Sequence, residues 1–311
     1  MFATGARECV LLRLLVPIPI PQPRESGHTT TTPAPLYWAA YGPRGASPVL
    51  VLHGGPGASH DYLLPQMLAL AAERELVFYD QRGGGRSKTD DRAPIVWRTQ
   101  VEDLGRVVGE LGLEPLTIVG YSWGGLLAML YAIEAARDGA LPPVRRLVLI
   151  DPAPVTREMR ATFERDFAAR QRGPAVAAMR EELDASGLRE RDPDAFRQRS
   201  FELSVAGYFA DPRRAADLTP FRVIGRVQQS IWESLGDFDL LPDLRSLDIP
   251  TLVVHGREDP IPLSSSQAVA DALGGRLVLL EDSGHVPYVE RPDELFEAIT
   301  SFLRATDATA I

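Results

Sequence analysis

The stretch Leu116-Thr117-Ile118-Val119-Gly120-Tyr121-Ser122-Trp123-Gly124-Gly125 constrains the chain most. A β-branched, apolar run of strand type leads into G-x-S-x-G, and Leu126 to Ala132 continue as an apolar helix. A strand that turns sharply into a helix through this pattern is the context a nucleophile elbow needs. The turn holds its serine at a strained backbone position, and Gly120 and Gly124 are small where strand and helix pass close together. The serine hydroxyl then stands clear of the sheet, above the positive N-terminal end of the helix.

The flanking pattern fixes the fold class. Pro48–Leu52, Leu76–Tyr79 and Arg146–Ile150 are continuous apolar runs, as expected of strands covered on both faces, and Leu36–Tyr41 adds a further strand. Helical spacing over 62–74 and about Val101–Leu111 alternates with them. From Pro152 to about Leu244 only helical spacing occurs, with Met159, Phe163 and Phe167 on one face and Val176, Met179 and Leu183 on the next. The alternation resumes with Thr251–His255, a helix over Ser264–Leu273, the strand Arg276–Leu280 and a last helix over Asp293–Leu303. This order predicts an α/β fold with a mostly parallel sheet and an inserted helical cap. The expected division is a core over 1–152 and 245–311, with the cap over 153–244. Residues 10–16 read as a first edge strand ending in a proline-stiffened segment, and Gly27–Pro35 as a surface loop.

Composition narrows the partners. At 311 residues the chain can bury one large core, and its formal charge of −9 argues against nucleic acid and anionic membrane surfaces. Arg13 splits the apolar run at 10–16, which is too short for a membrane span. Cys9 is the only cysteine, so an internal disulfide and a cysteine-based metal site are both excluded. No metal or cofactor is expected. The expected location is cytoplasmic, and the expected partner is a small-molecule or short-peptide substrate.

A serine hydroxyl is a poor nucleophile until a base takes its proton, and a third group must orient that base. Two downstream loops offer both. Asp259, in Gly256-Arg257-Glu258-Asp259-Pro260, follows a strand and is the candidate acid. His285, in Gly284-His285-Val286, follows the next and is the candidate base. Glu258 and Asp151 compete with Asp259, since Asp151 also ends a strand. His28, His53, His60 and His255 are less well placed. The oxyanion needs backbone donors, and Trp123 N–H and Gly55 N–H are the candidates. Pro56 cannot donate, and the Gly55–Pro56 bond is a candidate cis peptide.

Taken together, HGGPG at 53–57, DQRGGGRS at 80–87, GYSWGG at 120–125, GRED at 256–259 and GH at 284–285 resemble the proline-iminopeptidase family of α/β-hydrolases. The resemblance covers residues 36–152 and 245–303. It implies an α/β-hydrolase fold with an eight-stranded, mostly parallel sheet and a helical cap. Ser122, Asp259 and His285 fall at the triad positions, and Gly55 and Trp123 at the oxyanion positions. The motif from Asp80 to Ser87 reads as structural, with Asp80 and Arg82 tying the neighbouring loop.

The cap departs from that family. Its aminopeptidases hold the free α-amine with cap glutamates, one just before an aromatic pair, and Val205-Ala206-Gly207-Tyr208-Phe209 carries no acid there. Glu233, beside Trp232, and Glu202 are the remaining amine-binding candidates; each can equally be a solvated helix face. The expected activity is release of an N-terminal residue, proline preferred, from small peptides or amides. The alternatives are a small-molecule carboxylesterase or lactonase, and a catalytically inactive ligand-binding hydrolase fold.

Overall fold

A computed structural model of the chain describes residues 19–89 and 94–308. The edge strand expected over 10–16 lies outside them. The described strands are β1 (Glu25–His28), β2 (Tyr37–Tyr41), β3 (Val49–Leu52), β4 (Leu76–Tyr79), β5 (Leu116–Tyr121), β6 (Val144–Ile150), β7 (Thr251–Gly256) and β8 (Arg276–Leu280). They form one sheet in the order β1-β2-β4-β3-β5-β6-β7-β8, antiparallel at β1–β2 and β2–β4 and parallel elsewhere. This is the α/β-hydrolase architecture that the strand–helix alternation predicts.

The period of two along each strand divides the core between the two faces of the sheet. Leu50, Leu52, Ile118, Leu147, Leu149 and Val253 join one buried cluster, whereas Val49, Val51, Val119, Val148, Ile150 and Val254 join the other. The first cluster is closed by helices α1 (Trp97–Leu111) and α2 (Trp123–Asp138). Between β6 and β7 run α3 (Arg157–Gln171), α4 (Pro174–Ala185), α5 (Leu188–Arg191), α6 (Pro193–Val205), α7 (Gly225–Leu235) and α8 (Leu241–Leu244). The chain then adds α9 (Leu263–Leu273), α10 (Pro287–Glu290) and α11 (Pro292–Ala308). Val269, Ala270 and Leu273 of α9 complete the first cluster, and Leu295, Ile299 and Leu303 of α11 the second.

Two expectations need correction here. Glu25–His28 is a strand, overlapping the loop expected from Gly27; it pairs with β2 through its backbone while its largely exposed, polar side chains leave no apolar signature. The helix expected over 62–74 is two 3₁₀ segments, His60–Leu63 and Gln66–Ala72. Pro65 separates them: it has no N–H, and Leu64 before it is extended at φ −96 and ψ 148.

Candidate active site

Ser122 sits between β5 and α2 at φ 53 and ψ −119, a conformation that costs a non-glycine residue roughly 1–3 kcal/mol. Its neighbours hold it there. Ser122 N–H donates to Ile150 O at 3.0 Å, and its own carbonyl accepts from Gly125 and Ala153 at 2.9 Å each. A side chain on Gly124 would lie 2.2 Å from Leu52 O, and one on Gly120 would lie 2.6 Å from Gly124 O. Only glycine lets the helix leave the strand this tightly.

The loops after β7 and β8 bring two side chains to that serine. His285 Nε2 lies 2.9 Å from Ser122 Oγ, and His285 Nδ1 lies 2.7 Å from Asp259 Oδ2. Asp259 Oδ1 accepts from Ile261 N–H at 2.7 Å, which fixes the carboxylate. His285 and Asp259 are both buried. Burial lowers the pKa of His285 to about 4 and raises that of Asp259.

Residues silent in the sequence lock the histidine loop. Tyr121 Oη donates to His285 O at 2.8 Å, and His285 N–H donates to Tyr208 O at 2.7 Å. The Tyr208 ring packs 5.0 Å from the imidazole. Glu290, on α10, accepts from Gly284 N–H and Ala210 N–H at 2.8 Å each, tying the histidine loop to the cap. No local pattern marks Glu290; its partners are brought to it only by the fold.

The competing carboxyl, Asp151, is fully buried at the end of β6 and takes another partner. Its Oδ1 accepts from Gly256 N–H at 2.8 Å, and its Oδ2 has no hydrogen-bond partner among the described residues. Burial, then the neighbouring Asp259 charge, raises its pKa well above the carboxylate range. His255 turns to Ser266 Oγ at 2.9 Å, and His60 to Asp80 at 2.7 Å.

The glycine loop after β3 faces the serine from the other side. Gly55 is at φ +56, and among the described residues neither Gly55 N–H nor Trp123 N–H has a protein acceptor. The Gly55–Pro56 bond is trans, against expectation; the left-handed Gly55 makes the turn without it, and the cis bonds among the described residues are Leu64–Pro65 and Glu114–Pro115. Gln81 links the two backbone positions. It accepts from Trp123 Nε1 at 2.8 Å, donates to His53 O at 2.8 Å, and its N–H donates to His53 Nε2 at 3.1 Å. His53 Nε2 is thus an acceptor, so Nδ1 carries the proton that goes to Gly54 O at 2.8 Å. Next to it, Asp80 accepts from the backbone of His60 and Arg86, and Arg82 Nε donates to Asp103 at 2.7 Å, closing the neighbouring loop.

Above these residues, between sheet and cap, lies a cavity of about 810 Å³. Its wall includes Ser122, Gly55, Trp123, Tyr208, Trp232 and Glu233. Glu233 is exposed, and among the described residues its carboxylate accepts only from Gln229 Nε2, at 2.7 Å. Glu202 is not part of the wall. Its α6 neighbours Phe201, Ser204 and Val205 face the cavity, while Glu202 is buried on another side of the helix, accepting from Gln198 at 3.1 Å and Arg199 at 2.7 Å.

The sheet order and the strained elbow define the class, and the comparisons agree. The Alpha/beta hydrolase family matches residues 49–298, and the chain belongs to that family. A proline iminopeptidase of Saccharolobus solfataricus is 28% identical over 306 residues, covering 90% of this chain and 92% of that protein. The crystal structure of a proline iminopeptidase from Mycobacterium smegmatis superposes with a TM-score of 0.67 at 21% identity, over 92% of this chain and all of that one. An enol-lactonase from Burkholderia xenovorans superposes at 0.63 with 22% identity, over 89% of this chain and 100% of its own. Among the described residues no helix is long and apolar enough to cross a membrane.

Proposed function

We propose that this serine hydrolase works through an acyl-enzyme and releases an N-terminal residue, proline preferred, from small peptides or amides in the cytoplasm. The observation that carries the chemistry is the chain of contacts Ser122 Oγ–His285 Nε2 and His285 Nδ1–Asp259 Oδ2, at 2.9 and 2.7 Å. Ser122 Oγ attacks the carbonyl carbon as His285 Nε2 takes its proton. Asp259 holds the Nδ1–H and balances the imidazolium that forms. The oxyanion is received by the N–H groups of Gly55 and Trp123, each worth about 3–4 kcal/mol in comparable sites. His285 then protonates the leaving amine, and water, deprotonated by the same imidazole, frees the acid.

The pH profile follows from the histidine. Neutral above its pKa, His285 can accept a proton at pH 7, and it is lost as a base only when pH falls through a value depressed from 6.5 to about 4. The kcat/KM for an uncharged ester, which reports the free enzyme, should therefore keep its value below pH 6.5 before the acid limb begins. Between those two values the unfolded chain takes up the proton first, so stability should also fall as pH drops from 6.5 towards 4. An acid limb centred at or above pH 6.5 contradicts this assignment.

The aminopeptidase reading is supported by the similarity to proline iminopeptidases and by Glu233 on the cavity wall beside Trp232. A protonated α-amine leaving water needs a carboxylate nearby, and Trp232 offers apolar surface for a proline ring; Ile231 is fully buried in the core and does not. Proline p-nitroanilide should be cleaved, and its N-acetyl form should be 30- to 5,000-fold worse, from about 2–5 kcal/mol for the lost charge-assisted contact. Glu233→Gln should erase that preference while p-nitrophenyl acetate hydrolysis changes little. The second reading, a carboxylesterase or lactonase, draws on the missing acid at 205–209 and on the exposure of Glu233. It replaces the first if free and blocked amines react alike.

A further inference from the structure

The cavity wall holds two arginines that neither the triad nor Glu233 uses. Arg157 and Arg160 stand one turn apart at the start of α3, and both line the cavity. Cations in a first turn oppose the helix dipole, so helix stability does not account for them. Arg157 makes no ion pair and no side-chain hydrogen bond among the described residues. The Arg160 guanidinium carbon lies over the Trp232 ring, 3.7 Å from its centroid, and its Nε donates to Glu164 at 2.7 Å. Arg160 Nη1 is enclosed and meets no acceptor among the described residues. Burial lowers the pKa of this guanidinium, the mark of a cation short of compensation. Glu164 is paired with Arg160, while Glu233 accepts from the neutral Gln229 amide through Oε1.

We propose that Arg160 and Arg157 form a subsite for a carboxylate carried by the substrate, so that the enzyme prefers small acidic substrates. This rests on the cavity being where the substrate of the proposed hydrolysis binds. A guanidinium fixed on an aromatic face suits a carboxylate fork, and the exposed Arg157 adds a second charge beside it. The geometry sets the reach. Trp232 lies between Arg160 and Trp123, its ring 5.3 Å from that of Trp123, the residue after Ser122. The 5.3 Å edge-to-face step from Trp123 to Trp232 and the 3.7 Å from Trp232 to the Arg160 guanidinium together correspond to roughly two to three residues of extended chain, the size of a dipeptide or a short diacid.

The carboxylate has two sources, the C-terminus of a short peptide or an acid group on the acyl part, and two substrate pairs separate them. Pro-Gly is compared with Pro-Gly-amide, and p-nitrophenyl hemiglutarate with p-nitrophenyl butyrate, by kcat/KM at constant ionic strength. The acid member should win in at least one pair. Arg160→Met should lower that acid-to-neutral ratio about 10- to 100-fold, as expected for a hydrogen bond to a charged group, and Arg157→Gln should lower it less. Arg160→Lys should recover only part, since an ammonium has no fork. Arg157 is exposed, so its variant keeps the test open if loss of the Trp232 stack unfolds Arg160→Met. If neither prolyl substrate is cleaved but the hemiglutarate preference responds to both arginines, the aminopeptidase reading fails and the carboxylate subsite stands. Ratios near one in the wild type, or ratios unmoved by all three variants, overturn the proposal.

Discussion

Replacing Ser122 by alanine should lower turnover by ~10⁴–10⁶-fold, whatever acyl substrate is used, because the members of such a triad act as a unit. The geometry says why nothing nearby can substitute. His285 Nε2 has Ser122 Oγ as its partner at 2.9 Å, and the strained elbow at φ 53 and ψ −119 holds that oxygen in place. Alanine also lacks a hydroxyl for the imidazole to deprotonate, leaving only the oxyanion donors and substrate binding to act. The fold should survive, since the strain at φ 53 and the packing of Gly120 and Gly124 are backbone features that alanine inherits. The check is intact-mass and peptide mapping after a fluorophosphonate probe. One label on Ser122 is expected, with none on Ser122→Ala; a label elsewhere, or none on active enzyme, removes the assignment.

Much of this arrangement was legible because it is written locally. Solid apolar runs name the buried strands of a parallel sheet, and glycines beside a serine after such a run name the elbow. Ser122, Asp259 and His285 each lie just past a strand end, so a parallel sheet alone brings them to one edge. What the chain pattern does not carry depends on neighbours distant in sequence. β1 has polar side chains and exists through its pairing with β2. Residues 62–74 are a different case: their apolar spacing is helical, but Pro65 within the stretch is a local signal against one unbroken helix, and the extended Leu64 before it separates the two 3₁₀ segments. Glu202 and Glu233 look alike as cap glutamates, and only the rotation of each helix puts one on the cavity wall and the other against Arg199. The roles of Glu290, Tyr208 and Gln81 arise from contacts across the fold. Arg160 carries no motif, and its significance comes from the ring beneath it and the acceptor it lacks.

Asp259→Asn should cost about 10⁴ in turnover, the loss found when the equivalent acid of a well-studied triad becomes an amide, whereas Asp151→Asn should cost less than about tenfold. The two carboxyls are close, with oxygens within 4.8 Å of one another, so proximity alone does not choose between them. Their hydrogen bonds do. Asp259 Oδ2 meets His285 Nδ1 at 2.7 Å, so an amide there would present a donor to a donor or force the wrong tautomer. Asp151 makes no bond to His285; its Oδ1 serves Gly256 N–H at 2.8 Å. Two buried carboxyls at this distance do not both ionise readily, and the one without the histidine keeps the proton. Burial accordingly raises Asp151 well above its ordinary value, and a neutral acid is what asparagine imitates. The amide keeps the acceptor for Gly256 and offers an N–H where the acid has its O–H. A raised carboxyl contributes its stability at low pH and loses it as pH climbs past the unfolded value. Asp151→Asn removes that loss, so its melting temperature at neutral pH should hold or rise. Both variants need kcat/KM on one ester beside thermal melts. If Asp151→Asn is the more damaging in a folded protein, the orienting acid is on the earlier strand, and the contact between Asp259 and His285 is not the one that works.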